Sequence, residues 1–172
     1  QLKPAVDRYL DALGFAAEQI VGLDRARHIE ADAEHVVPGL ADAPAWPVLR
    51  SQLMLLAASG ADPAFVLRHA VLDGGLGDAH DPAAVLSWRL DRVERVGPLP
   101  WLSGIPDRLA EHPQWGPYLA SRSELIRDLA GRVSEASVAT EPRWQEALSA
   151  DMTPELVAHV SVWRAAMGVP ED

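Results

Sequence analysis

An all-α fold is predicted for this 172-residue chain, and three observations predict it. Apolar side chains recur every three to four positions along most of the sequence. Prolines preceded by acidic or hydroxyl residues stand where helices would open. No stretch alternates with period two over more than a few residues, and β-branched clusters are scarce. Together these predict a compact multi-helix bundle of about seven to eight helices joined by Pro/Gly-rich loops.

The elements follow in order. Val6, Leu10, Leu13, Ala17 and Ile20 form one apolar stripe on an N-terminal helix, which Gly14 and Gly22 weaken by ~1 kcal/mol each relative to Ala. The polar stretch from Asp24 to His35 extends this helix or forms a second one, and Pro38-Gly39 stops it. Asp62-Pro63, Asp81-Pro82, Glu141-Pro142 and Thr153-Pro154 mark helix starts, while Pro44 and Pro113 open helices with a looser cap. Trp46, Leu49, Leu53 and Leu56 make a stripe that ends near Gly60. Phe65 to Val71 is a short helix closed by Asp73-Gly74-Gly75, and Leu86, Leu90 and Val93 mark the next. A Pro-rich connection spans 97–106, with Trp101 and Leu102 as packing anchors. Leu119, Ile126, Leu129 and Val133 line the longest helix, beginning near Trp115. Trp144 and Leu148 define a short helix, and Leu156, Val160, Trp163 and Met167 the last. A single domain over 1–172 is favoured, the alternative being two lobes, 1–96 and 107–172, joined by 97–106.

Composition bounds the chemistry. The formal net charge is −10, which disfavours an autonomous nucleic-acid module, since phosphate neutralisation needs surplus Lys and Arg on one face. With no cysteine, a disulfide framework, a thiolate metal site and a Cys nucleophile are excluded. Apolar runs such as Leu53 to Ala58 fall far short of the ~18 residues a membrane span needs, and no signal-peptide core follows Gln1. Gln1 reads as a boundary inside a longer chain, and a cytoplasmic setting is expected. A single lysine, no asparagine and abundant Ala, Arg, Asp, Gly and Pro suggest a GC-rich, actinobacterial origin.

Candidate sites are few. His28, Asp32 and His35 share one helical face at i, i+4 and i+7, a donor set suited to zinc or iron. A straight helix spreads i and i+7 over about 10 Å, so a solvated polar face beside Glu30 and Glu34 is the better reading. Asp73-Gly74-Gly75-Leu76-Gly77-Asp78 lacks the order of a phosphate-binding loop, and its aspartates would repel phosphate. It reads as a helix stop and turn. His69, His80, His112 and His159 stand alone, with no nucleophile elbow. Trp46, Trp115 and Trp144, early in their helices, read as core packing rather than a stacking platform. Asp91 with Arg95, and Asp128 with Arg132, are i, i+4 surface pairs. Arg122, Arg127 and Arg132 interleave with Glu124, Asp128 and Glu135 and read as a mixed solvated face. No catalytic residue, cofactor or binding residue is assigned.

Several segments carry a resemblance: Val36-Val37-Pro38-Gly39-Leu40, Pro44-Ala45-Trp46-Pro47-Val48-Leu49-Arg50, Pro98-Leu99-Pro100-Trp101-Leu102 and Trp115-Gly116-Pro117-Tyr118-Leu119. The most distinctive is Val162-Trp163-Arg164-Ala165-Ala166-Met167-Gly168-Val169. Over most of residues 35–172 the chain resembles the region after the helicase in actinobacterial conjugative relaxases of the MobF class. That family processes plasmid DNA with a tyrosine nucleophile and a histidine-bound metal in its N-terminal domain, followed by a helicase with a phosphate-binding loop. Neither motif is present here, and Tyr9 and Tyr118 lack a surrounding His cluster. The resemblance therefore implies a C-terminal helical accessory region without catalytic residues. It would dock to the coupling protein, to relaxosome partners or to its own helicase. The alternative is a contact region for single-stranded DNA, working through Arg and Trp side chains.

Overall fold

The structure, a computed structural model, describes residues 1–90, 97–140, 142, 144 and 153–170. Among them stand eight α-helices, one 3-10 turn and no strand. The helices are α1 (Leu2–Val21), α2 (Leu23–Val36), α3 (Trp46–Ala58), α4 (Pro63–Leu72), α5 (Pro82–Leu90), α6 (Asp107–Ala110), α7 (Trp115–Ala139) and α8 (Pro154–Met167). The all-α expectation stands. Val93, the Asp91–Arg95 pair, the Glu141-Pro142 start and Leu148 fall outside the described residues or on their border.

Local chemistry sets the boundaries. The chain breaks between α1 and α2 at Gly22, whose φ of 79° is left-handed, so Asp24–His35 forms a second helix rather than an extension. Asp62 caps α4 by accepting from the N–H groups of Ala64 (3.0 Å) and Phe65 (3.2 Å). Asp81 does the same for α5 through Ala84 N–H at 3.0 Å, and Thr153 for α8 through Leu156 N–H at 3.3 Å. After Pro44 and Pro113 the helices begin two residues later than the prolines, at Trp46 and Trp115. For α7 the cap is a histidine: the Nδ1 of His112 accepts from Gln114 N–H (3.3 Å) and Trp115 N–H (3.2 Å).

Two compact units emerge. One comprises residues 11–119, the other residues 1–10 and 120–172. The Pro-rich connection 97–106 lies wholly within the first of these, where Leu99 and Leu102 are buried.

In the 11–119 unit, α3 packs on α2, α4 and α5, while α4 also meets α2 and α5. The fully buried Leu49, Leu53, Met54, Leu67 and Leu86 lie on those helices. Polar ties cross between elements. Asp81, besides capping α5, accepts from Ala45 N–H at 3.0 Å. The Arg89 guanidinium donates to the carbonyls of Ala70 (2.6 Å) and Gly75 (2.7 Å), satisfying oxygens left over at the end of α4. The Arg50 guanidinium joins Glu30 (2.6 Å) and Glu18, so that α3 is tied to α2 and α1. Backbones also approach closely: an added Cβ at Gly116 would lie 2.1 Å from the Ala110 carbonyl oxygen, and one at Gly97 2.1 Å from that of Leu102.

In the other unit, α1 contributes Leu2, Val6 and Tyr9 to the interior, and α7 contributes Ile126, Leu129 and Ala130. From α8 come Val157, Ala158, Val162 and Ala166. Tyr9 is wholly buried. Burial pushes its phenol up to about 12, against a small opposing pull from Arg127. Leu10, expected on the buried stripe of α1, is exposed instead; Tyr9 and Ala16 take the inward positions. Helix α8 ends at Gly168, in the left-handed conformation with φ 73°, and Val169 N–H returns to the Arg164 carbonyl at 2.9 Å.

Candidate interaction surface

Helix α8 departs most from expectation. Its predicted apolar stripe of Leu156, Val160, Trp163 and Met167 does keep helical spacing, but it does not face the interior. Leu156 is 48% exposed, Trp163 45% and Met167 44%. The buried set, Val157, Ala158, Ser161, Val162 and Ala166, lies roughly half a turn away at ~100° per residue. Small residues fill that buried face, so the helix seats closely and leaves its large side chains outside. The helix thus carries apolar residues on both faces. A helix of that kind is ordinarily covered on both, and large apolar side chains gathered on one exposed face, as Leu156, Trp163 and Met167 are here, mark an interaction surface where they form a contiguous patch.

Beside this stripe is a cleft of about 640 Å³ between the last turns of α7 and α8. Val133, Ala136, Ser137 and Thr140 line one wall; Ser161, Arg164 and Ala165 line the other. Pro142, Trp144 and the Gly168–Pro170 turn contribute further lining. The Arg164 guanidinium carbon stands 5.5 Å from the centroid of the Trp144 ring, a cation–π arrangement. One Arg164 nitrogen donates to the Pro170 carbonyl. Ser137 Oγ donates to Ser134 O at 2.8 Å. Ser161 Oγ is buried and has no hydrogen-bond partner among the described residues. Trp144, expected in the core, is half-buried, and its ring lines the cleft.

A second aromatic group belongs to the 11–119 unit. Trp115 makes edge contacts with Phe15 at 5.8 Å and Tyr118 at 6.1 Å, and its indole N–H donates to Gln19 at 3.2 Å. Phe15 and Tyr118 remain exposed. Phe15 gave no signal in the sequence because it lies off the main stripe of α1.

The other candidates are placed as follows. His28, Asp32 and His35 are all exposed on α2, and the His28 ring bonds the Asp24 carbonyl at 2.6 Å. Among the described residues no group of three or more His, Asp or Glu side chains converges as a metal site. The neighbouring Glu34 has a structural task. Its carboxylate accepts from Gly39 N–H (2.5 Å) and Ala41 N–H (3.2 Å). Those bonds hold its carboxyl below the ordinary range. Gly74 and Gly75 both take positive φ, and residues 73–78 form turns after α4, as read from the sequence. His69 bonds back to the Phe65 carbonyl and packs on its ring, His80 and His159 are exposed, and His112 is the cap described above. Asp128 and Arg132 are exposed, and no ion pair joins them among the described residues. No helix of the described residues is long and apolar enough to cross a membrane.

The chain matches no family model, no curated protein and no solved structure.

Proposed function

We propose that this chain is a non-catalytic interaction region that docks to another protein surface through the outer face of α8. The observation that carries the reading is the exposed stripe of Leu156, Trp163 and Met167 on a helix already packed on its other side. Leaving such a stripe in water forgoes ~25 cal/mol for each Å² of apolar surface that a partner would cover. The chain's net charge of −10 steers encounter with a basic partner face. Two of its residues, Trp163 and Met167, lie in Val162–Val169, the most distinctive segment of the resemblance to the MobF-class relaxases. The partners in view are therefore the coupling protein, relaxosome components or the helicase of the parent chain, in the cytoplasm of an actinobacterium.

Retention of those partners by the immobilised chain at physiological salt tests the reading, with a Trp163→Ser/Met167→Ser variant beside it. Retention by the native sequence and about tenfold weaker capture by the variant is the expected result, since apolar anchors dominate such interfaces. Equal capture by both, or none by either, would remove α8 docking.

A second reading, contact with single-stranded DNA, has one observation in its favour: the exposed Phe15 and Tyr118 rings flanking Trp115. Bases stack on such rings. Oligonucleotide anisotropy at low salt decides it, and a flat titration ends it.

A further inference from the structure

We infer that the cleft between the last turns of α7 and α8 is a binding site for a peptide segment of the partner that carries an apolar side chain next to a carboxylate. This inference rests on the docking reading above and adds to it a chemical specificity.

Three features carry it. First, the volume, about 640 Å³, falls in the range that encloses small ligands or a few side chains. Second, the lining is charge-selective. Arg164 is the one ionisable side chain among the described residues that line it, and none of those residues is a carboxylate, in a chain whose formal charge is −10. Among the described lining residues the guanidinium therefore stands without a carboxylate beside it, which suits an anion. The guanidinium is also held in place. Its plane lies near the Trp144 ring and one nitrogen is anchored on the Pro170 carbonyl, leaving the remaining N–H groups of its five-donor fork for a carboxylate. Third, Ser161 is 8% exposed, and its hydroxyl, on the same wall one turn before Arg164, has no partner among the described residues. A buried hydroxyl without a partner is costly, and a ligand group entering the cleft would relieve it. The apolar walls, Val133, Ala136, Ala165 and Val169, suit an aliphatic side chain beside that carboxylate.

The test uses the whole 172-residue chain and two acetylated, amidated pentapeptides, Ala-Leu-Leu-Glu-Ala and its Gln counterpart. Backbone amide spectra are followed at Ser161, Arg164 and Ala165. The Glu peptide is expected to shift these signals saturably and to bind about tenfold more tightly than the Gln peptide, the size of one charge-assisted hydrogen bond. Arg164→Gln is expected to erase that preference while leaving the helical circular dichroism unchanged, and Arg164→Lys to retain part of it. Equal binding of both peptides overturns the inference, as does the absence of any shift in the native chain. If Arg164→Gln unfolds the chain, the Glu-over-Gln preference of the native chain decides alone. Partner capture without a peptide response overturns the cleft and leaves the α8 stripe as the docking surface. A peptide response without partner capture supports the cleft and removes the docking reading.

Discussion

Arg50 shows how a single residue can hold three helices in register. Its guanidinium is partly buried between Glu18 and Glu30. Burial by itself disfavours the charge, yet the two carboxylates outweigh it and raise the group's proton affinity. Arg50→Met is expected to cost about 1 kcal/mol in urea unfolding, because both carboxylates keep some solvent and the pairs are partly screened. Adding Glu18→Gln and Glu30→Gln should recover most of that loss. Glu34 makes a pH-dependent contribution. Its folded carboxyl titrates below the ordinary value, so its contribution is full above the unfolded pKa of ~4.3 and is lost as pH falls through the lower folded value. Carboxyl NMR titration should show the depressed value, and Glu34→Gln should flatten the acid limb of stability. Two glycines on α7 offer a contrast. A Cβ at Gly116 meets the Ala110 carbonyl oxygen, whereas one at Gly131 meets nothing within 4 Å. Gly116→Ala is expected to destabilise by about 3 kcal/mol. Gly131→Ala should stabilise by roughly 0.5–1 kcal/mol, as an ordinary helical position, with thermal unfolding reading both variants.

Individual helices answer to their caps and faces. Asp62 satisfies two N–H groups at the start of α4, and Asp62→Ala should lower stability by about 1 kcal/mol. Such starts were readable from the sequence, since an Asp-Pro or Thr-Pro pair specifies both the acceptor and the backbone angle. The His112 cap of α7 was not readable, because an imidazole nitrogen caps only where the turn brings it under the helix. The faces divide in the same way. For α3 and α7 the apolar stripe and the buried side coincide: Leu49 and Leu53 are covered, as are Leu119 and Ile126. For α8 the stripe was legible but its direction was not. Periodicity reports that a face exists; packing selects which face is covered, and the small residues Ala158, Ser161 and Ala166 permit closer approach than Trp163. Trp163→Ser, at a half-covered side chain, is therefore expected to cost about 1 kcal/mol of unfolding free energy, an outcome read by chemical denaturation. A core position such as Leu129 truncated to Ala would instead lose roughly 2–5 kcal/mol.

At the scale of the chain, the sequence by itself determined the helical class, most helix starts, and the exclusion of cysteine chemistry. These depend on local properties: spacing, capping groups and composition. Tertiary structure alone decided that the chain forms two compact units, that α8 turns its largest apolar side chains outward, and that Ser161, Arg164 and Trp144 meet at one cleft. Those features join distant stretches of the chain, or choose between two faces of equal periodicity. No local pattern encodes such a choice, because it is set by the volume and shape of whatever packs against each face.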